Sequence, residues 1–367
     1  MTKNLYFVKF IQKINLTLNR LIKKNLNKLN SANFYKITKS NKFFLSLVVL
    51  IILFLSYLSI PNTYNKNEIN IKLNDQLQKK FNLNFNLSKN FKYNFLPRPH
   101  FIYRDSYIIK DEIVISKIEK LKVFISLNNL FSLKNFKIKS VIMETSNFNV
   151  DGQTYNLFTN LLDGNFEDDK LIIKDSNIFY KNKDDEVLFI NKILDMEYYY
   201  DDKNLQNTVV SKNEIFNLPY LIQLSKNNFD KNISSELNLN FLKLKISNEL
   251  NFSSDVKTGS MNFIINKDKY NATYVIDKDS LIFKLYDNSE NSKFSYEGEL
   301  NFNPFYSELK GTIKEIDILY LLDPSTLILQ LFKTEILNNK NLNINLNIYA
   351  DRSENFSDFV KINLNSK

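Results

Sequence analysis

His100 is the only histidine in the chain, so any Ser-His-Asp hydrolase built from this sequence would have to use it as the base. It lies in the stretch FLPRPHF, beside two prolines, and no nucleophile-elbow motif occurs elsewhere in the sequence. We therefore interpret His100 as a structural or surface residue. A hydrolase that uses His100 as its base is kept as a third functional hypothesis.

Three groups of carboxylates suggest a metal site at first sight. They are Asp168 with Asp169, residues 184–186, and Asp201 with Asp202. None has the glycine-containing twelve-residue calcium loop, and each falls at a predicted turn, where solvated charge is expected. The chain has no cysteine and only five glycines, without a phosphate-binding loop. The sequence thus predicts no enzyme, no metal and no cofactor.

Residues 43–60 form an uncharged apolar stretch, FFLSLVVLIILFLSYLSI. A helix of eighteen residues spans about 27 Å, which is close to the hydrocarbon thickness of a bilayer. The stretch therefore predicts a transmembrane signal anchor. A cleaved signal peptide is the alternative, but the long charged lead, the long apolar core and the lack of a small-x-small cleavage site argue against it.

The charge of the chain is concentrated before this stretch. Residues 1–42 contain ten basic and no acidic side chains, which predicts a cytoplasmic N-terminus and a body on the far side of the membrane. The rest of the chain has 39 basic residues against all 40 acidic ones, so no basic surface for nucleic acid is expected. Apolar residues at helical spacing in residues 5–29 suit a helix on the inner leaflet or a loosely ordered tail.

After residue 61 the sequence predicts one short helix and then mostly strands. Residues 68–80 have Ile69, Leu73 and Leu77 at a spacing of four, which favours a helix. From Phe81 onwards the apolar residues alternate with Asn and Lys, which is the period of a half-buried strand. The predicted strands include residues 101–109, 171–174, 177–181 and 235–245. Polar breaks between the strands favour hairpins, and two further short helices are predicted at residues 155–162 and after Asp323.

These patterns predict a mainly β body at residues 62–367, with a long antiparallel sheet and a few short helices. One apolar face of such a sheet must be covered by a second sheet, by helices, by closure into a barrel or by an apolar ligand. The predicted helices are too few for full cover. A sandwich or a lipid-filled groove remains, and the periodicity does not choose between them.

The order of these parts resembles the N-terminal region of the AsmA family of bacterial envelope proteins. The likeness is carried by the anchor, the short helix, FNLNFNLSKNFKYNFLPRPHFIYRDSYI, ISKIEKLKVFISLNNLFSLKNFKIKSVIMETSNFNV and the helix-like DGQTYNLFTNLL. GTIKEIDILYLLDPSTLILQLF followed by NLNINLNIYA is similar to the middle of longer members. The resemblance covers most of the chain after residue 43, through soft patterns of apolar alternation.

The resemblance implies a single-pass inner-membrane protein whose periplasmic body is a curved, taco-like β-groove related to chorein-type proteins. Such a body would bind or conduct the acyl chains of phospholipids toward the outer membrane and support envelope integrity. The groove entry is expected to be lined by apolar residues near the N-terminal end of the body: Phe81, Leu83, Phe85, Leu121, Val123, Ile125 and Phe136.

The second hypothesis is an envelope scaffold or assembly factor. In that case the sheet would be packed as a closed sandwich, and a protein partner would bind to it. Lipid found with the purified chain would favour the groove, whereas a lipid-free compact body would favour the scaffold.

Overall fold

The structure of the chain is a computed structural model. It describes residues 42–366 except for a set of short segments, namely 82, 111, 129, 152–153, 155–156, 165, 167–168, 183, 228–231, 252–256, 266–267, 278–279, 287–293, 303–304, 317–342 and 354–359. Residues 5–29, expected to form either a surface helix or a loosely ordered tail, and the predicted helix after Asp323 therefore lie outside the described residues. The described chain divides into two compact units, which meet between Ile60 and Pro61.

The first unit contains helix α1, Lys42–Ser59, and the first residue of a short 3-10 turn, Ile60–Thr63. The helix has no charged residue after Lys42, and the segment Leu45–Thr63 is long and apolar enough to cross a membrane. Its position agrees with the apolar stretch predicted from the sequence.

The second unit is mainly β and begins with helix α2, Lys66–Phe81. Its buried residues Ile69, Leu73, Leu77 and Phe81 recur every four positions, which confirms the helix predicted at residues 68–80. Phe81 ends this helix instead of beginning a strand, so the alternation after it yields only a three-residue strand. The other described α-helix of this unit is α3, Leu157–Asn160, which continues into a 3-10 turn, Leu161–Asp163.

Eighteen strands form one sheet. Their bounds are β1 Asn84–Asn86, β2 Phe91–Asn94, β3 His100–Lys110, β4 Ile113–Ile125, β5 Ile138–Val150, β6 Lys170–Lys181, β7 Val187–Asp201, β8 Gln206–Ile215, β9 Leu218–Asn227, β10 Asn232–Leu239, β11 Leu244–Asn251, β12 Lys257–Ile265, β13 Asp268–Asp277, β14 Ser280–Tyr286, β15 Phe294–Phe302, β16 Phe305–Ile316, β17 Asn343–Ser353 and β18 Val360–Ser366.

The strands lie in the order of the chain. β1 and β2 both pair with β3, and every later strand pairs with the one before it. The prediction of an antiparallel sheet is wrong at two pairs, because β5–β6 and β16–β17 are parallel. A parallel pair needs a connection long enough to return to the starting end of the sheet. The two connections, residues 151–169 and 317–342, are the places where the sequence predicts helices.

A line of backbone irregularities crosses the first strands of the sheet. Asp105, Thr145 and Asp175 have φ angles of 51°, 55° and 46°, in the left-handed region, and the strand pairing is interrupted at each of them without a change of register. Each is followed by a buried serine, which is Ser106, Ser146 or Ser176. The pairing resumes in the same register, so β3, β5 and β6 continue through these positions.

Candidate functional site

His100 is packed inside the described fold. Its side chain is buried, and its ring stacks on Phe124 with the centroids 4.7 Å apart. Nδ1 lies 2.7 Å from the carbonyl oxygen of Arg98, which can only accept a hydrogen bond, so Nδ1 carries the proton. This geometry matches the interpretation of His100 as a structural residue.

The carboxylate groups are used in turns and ion pairs. Asp201 accepts hydrogen bonds from the backbone of Lys203 and from Asn204, and these bonds lower the pKa of its carboxyl group, with the Asn204 side chain as the main cause. In the preceding hairpin turn, between β6 and β7, the Oδ1 atom of Asn182 accepts hydrogen bonds from the backbone N–H groups of Asp184 and Glu186. Within the described residues, no three His, Asp or Glu side chains are grouped so that they could hold a metal ion.

The seven apolar residues predicted for a groove entry are all buried. The exposed fraction is 0% for Phe81 and no more than 5% for any of the others, which are Leu83, Phe85, Leu121, Val123, Ile125 and Phe136. They are brought together at the end of the body that contains α2, where they belong to a packed interior. Their contact with lipid stays a prediction.

Helix α2 covers this part of the sheet and is fixed to it by polar side chains. Gln76 accepts from the N–H of Ile138 and donates to the carbonyl of Phe136, in the way a neighbouring strand would. Tyr103, fully buried on β3, donates to Asn70 of α2 at 2.8 Å. Burial raises the pKa of the Tyr103 hydroxyl well above its ordinary value, so this group stays protonated and can donate.

The connection between β5 and β6 covers the next strands in a similar way. Leu157, Leu161 and Leu162 are buried, and Asn207 of β8 donates to the carbonyl groups of Leu162 and Gly164. Tyr198 of β7 is fully buried and donates to the carbonyl of Phe158 at 3.0 Å. The apolar face of β3–β8 is therefore largely covered by protein, and that of β9 is partly covered. We call this part of the sheet the closed half.

The apolar face continues beyond β9 but becomes half-exposed. Cross-strand partners keep the apolar side chains on one side from β10 to β17, for example Leu237 with Ile246 and Ile246 with Phe263. We call this surface the open face. Its half-exposed residues include Leu237, Ile246, Phe263, Phe283, Leu285, Tyr296, Leu309 and Leu346.

The opposite side of the same strands is solvent-exposed. Thr273, Lys284, Glu297 and Lys310 are neighbours on consecutive strands, and all four are exposed. The exposed pair Val275 and Ile282 lies on the same side, so this side of β13–β16 combines charged residues with single apolar ones. A one-residue shift in register would exchange the two sides, so the register is strongly specified.

Three of the five glycines lie on the open face, each opposite an aromatic ring. Gly259 pairs with Tyr274, Gly298 with Phe283, and Gly311 with Tyr296. A Cβ atom added at any of these glycines would overlap the partner ring. The rings therefore lie over the glycines, an arrangement that covers exposed backbone with apolar surface.

Polar groups are also satisfied within this face. The hydroxyl of Tyr274 donates to Asn248 Oδ1 at 2.6 Å, and Asn248 Nδ2 donates to Ser235 Oγ at 3.2 Å. Sequence reasoning did not select the open-face residues as a site. The signal that could have found them is the recurrence of a glycine directly opposite an aromatic residue, which appears only once the strand register is known.

Comparison with known proteins adds no identification: no family model and no curated protein matches the chain.

Proposed function

We propose that the chain is a single-pass inner-membrane protein whose periplasmic body binds or conducts phospholipid, with the acyl chains on the open face. The observation that carries the proposal is the partly exposed apolar surface on the described residues of β10 to β17. Removal of apolar surface from water contributes about 25 cal/mol per Å², so an acyl chain lying on this surface would be stabilised. The proposal assigns no catalytic step to the chain.

Two further features support this reading. The apolar helix α1 would anchor the body to the membrane from which lipid is taken. The order of anchor, short helix and chain-ordered strands resembles the AsmA family, which implies movement of phospholipid toward the outer membrane and a role in envelope integrity. In this proposal the lipid path runs along β10–β17. The seven buried residues predicted for the groove entry belong to the closed half, which precedes these strands in the sheet.

A pair of neighbouring residues offers a direct test. Leu285 is half-exposed on the open face, whereas Lys284 is exposed on the opposite side of the same strand, β14. The full chain would be produced in Gram-negative cells with the photo-crosslinking residue p-benzoylphenylalanine at one position or the other. We expect phospholipid adducts, detected by mass spectrometry after irradiation, from the Leu285 variant and not from the Lys284 variant.

The absence of lipid adducts from the Leu285 variant, or equal adducts from both variants, would contradict the proposal. A protein adduct at Leu285 would instead favour the second candidate, an envelope scaffold or assembly factor that binds a protein partner. That candidate is favoured by the closed half, where helices and sheet already form a packed interior.

A further inference from the structure

The first residues of the β-rich unit are fixed at one end of the sheet. The hydroxyl of Tyr64 donates to the carbonyl of Leu130 at 3.0 Å, and its ring meets Phe136 edge-on with the centroids 5.6 Å apart. Leu130 and Phe136 both belong to the connection between β4 and β5. Only residues 60–63 separate Tyr64 from the end of α1, and five extended residue steps span at most about 17 Å.

Large apolar side chains are exposed at this end of the sheet. Phe131 and Leu127, in the β4–β5 connection, have exposed fractions of 75% and 47%, and Leu96, in the β2–β3 connection, has 66%. The two connections adjoin, because the N–H of Ile125 donates to the carbonyl of Pro99 at 3.0 Å. Exposed apolar residues that cluster, unlike scattered ones, mark an interaction surface.

The same end is basic. Segments 61–66, 92–99 and 126–139 contain no Asp or Glu. Their six basic residues are all exposed, and they are Lys66, Lys92, Arg98, Lys134, Lys137 and Lys139. The closest acidic residue along the chain is Glu68, in the first turn of α2. Apolar side chains ringed by Lys and Arg are complementary to the interface of a membrane with anionic headgroups.

We propose that this end of the body, with Leu96, Leu127 and Phe131 at its tip, binds the surface of the bilayer that α1 enters. The inference rests on the proposed membrane-spanning role of α1. The short connection keeps the surface close to the headgroups, and the basic residues supply the attraction to anionic lipid. The contact would hold the body against the membrane from which it takes lipid.

The natural absence of cysteine makes this contact measurable with a single introduced thiol. Asn128 is exposed between Leu127 and Phe131, and Asp184 is exposed in the β6–β7 turn at the opposite end of the strands. The full chain with Asn128→Cys or Asp184→Cys would carry an environment-sensitive NBD fluorophore. It would be placed in vesicles of phosphatidylcholine and phosphatidylglycerol containing lipids with a spin label near the headgroup.

We expect a blue-shifted and strongly quenched probe at position 128 and a water-like, unquenched probe at position 184. Replacement of both Leu127 and Phe131 by Ser should reverse the shift at position 128. Omission of phosphatidylglycerol should weaken it. A probe at position 128 that behaves like the one at 184, in chains that float with the vesicles, would overturn this inference and leave the membrane anchor intact.

Two other results are equally decisive. Chains that do not float with vesicles would overturn the spanning role of α1, and with it this inference. A probe at position 128 that is blue-shifted but not quenched by the headgroup spin labels would lie in a protein contact, which would assign the surface to another copy of the chain and overturn the membrane contact.

Discussion

Lys80 shows how a single charged side chain holds the closed half together. Its ammonium group donates to the carboxylate of Asp169 and, at 3.1 Å, to the carbonyl oxygen of Ile138. The Asp169 side chain is only 5% exposed, and that of Lys80 is 26% exposed. The pair therefore ties the end of α2 to β5 and to the residue before β6, in a place where an unpaired carboxylate would be costly.

We predict that Lys80→Met lowers the free energy of unfolding by about 3 kcal/mol, because it removes the ammonium group that binds the buried Asp169 carboxylate. The measurement is urea unfolding of the full chain in detergent micelles. The double variant Lys80→Met with Asp169→Leu is the control, since it removes the buried charge as well and should recover most of the loss. A single variant as stable as the parent would show that water compensates Asp169.

Glu144 is a second carboxylate paired with lysine, on the more exposed side of the sheet. Burial of its carboxyl group acts to raise the pKa, but hydrogen bonds from Lys120 and Lys122 outweigh burial and hold the pKa below its usual value. A carboxyl whose pKa is lowered on folding contributes stability at neutral pH, and this contribution is lost as the pH falls through the folded-state pKa. Glu144, Lys120 and Lys122 thus link β4 to β5 most strongly at a pH above the range in which glutamate ordinarily titrates.

At the scale of elements, strand β5 carries backbone strain at a residue that does not suit its conformation. Thr145 has a φ of 55°, which Asn or Gly adopts with far less strain than a β-branched residue does. Its side chain is exposed, so the replacement disturbs no packing. Asp105 and Asp175, at the equivalent steps of β3 and β6, are residue types that tolerate this region better.

We predict that Thr145→Asn raises the free energy of unfolding by about 1 kcal/mol. The matched control is Thr273→Asn, an exposed threonine within β13, where the same change should cost a few tenths of a kcal/mol through lost strand propensity. Both variants would be compared by urea unfolding. Equal effects at the two positions would refute the strain argument.

Elements with an unbroken hydrophobic period could be predicted. The wrong predictions come from residues within a strand that are typical of a turn, and from a turn whose residues are typical of a strand. Helix α2 and strand β3 were predicted within two residues of their bounds. Asp175 and Ser176 are residue types typical of a turn, so β6 was predicted as two strands. Conversely, residues 235–245 were predicted as one strand, because alternation continues through the Asn240–Leu242 turn, where no Gly or Pro marks it.

At the scale of the whole body, one sheet has two energetic environments. In the closed half the apolar face packs against α2 and the β5–β6 connection, and on β10–β17 the same face is half-exposed. A strand with alternating apolar and polar residues has the same sequence pattern in both environments, because the period shows which side is apolar and not what covers that side. For this reason the groove lining predicted from the sequence falls in the closed half, and no residue of the open face was predicted as lining.

The orientation of the molecule in the membrane gives the last prediction. Residues 1–42 carry ten positive charges and no negative ones, so we expect them to stay in the cytoplasm and the body to be translocated. In a cysteine-free chain, Asp184→Cys should react with a membrane-impermeant maleimide once the outer membrane is permeabilised. Ser31→Cys should react only after the inner membrane is broken. Early labelling at position 31 would reverse the orientation, and a mature chain that lacks residue 31 would support a cleaved signal peptide instead.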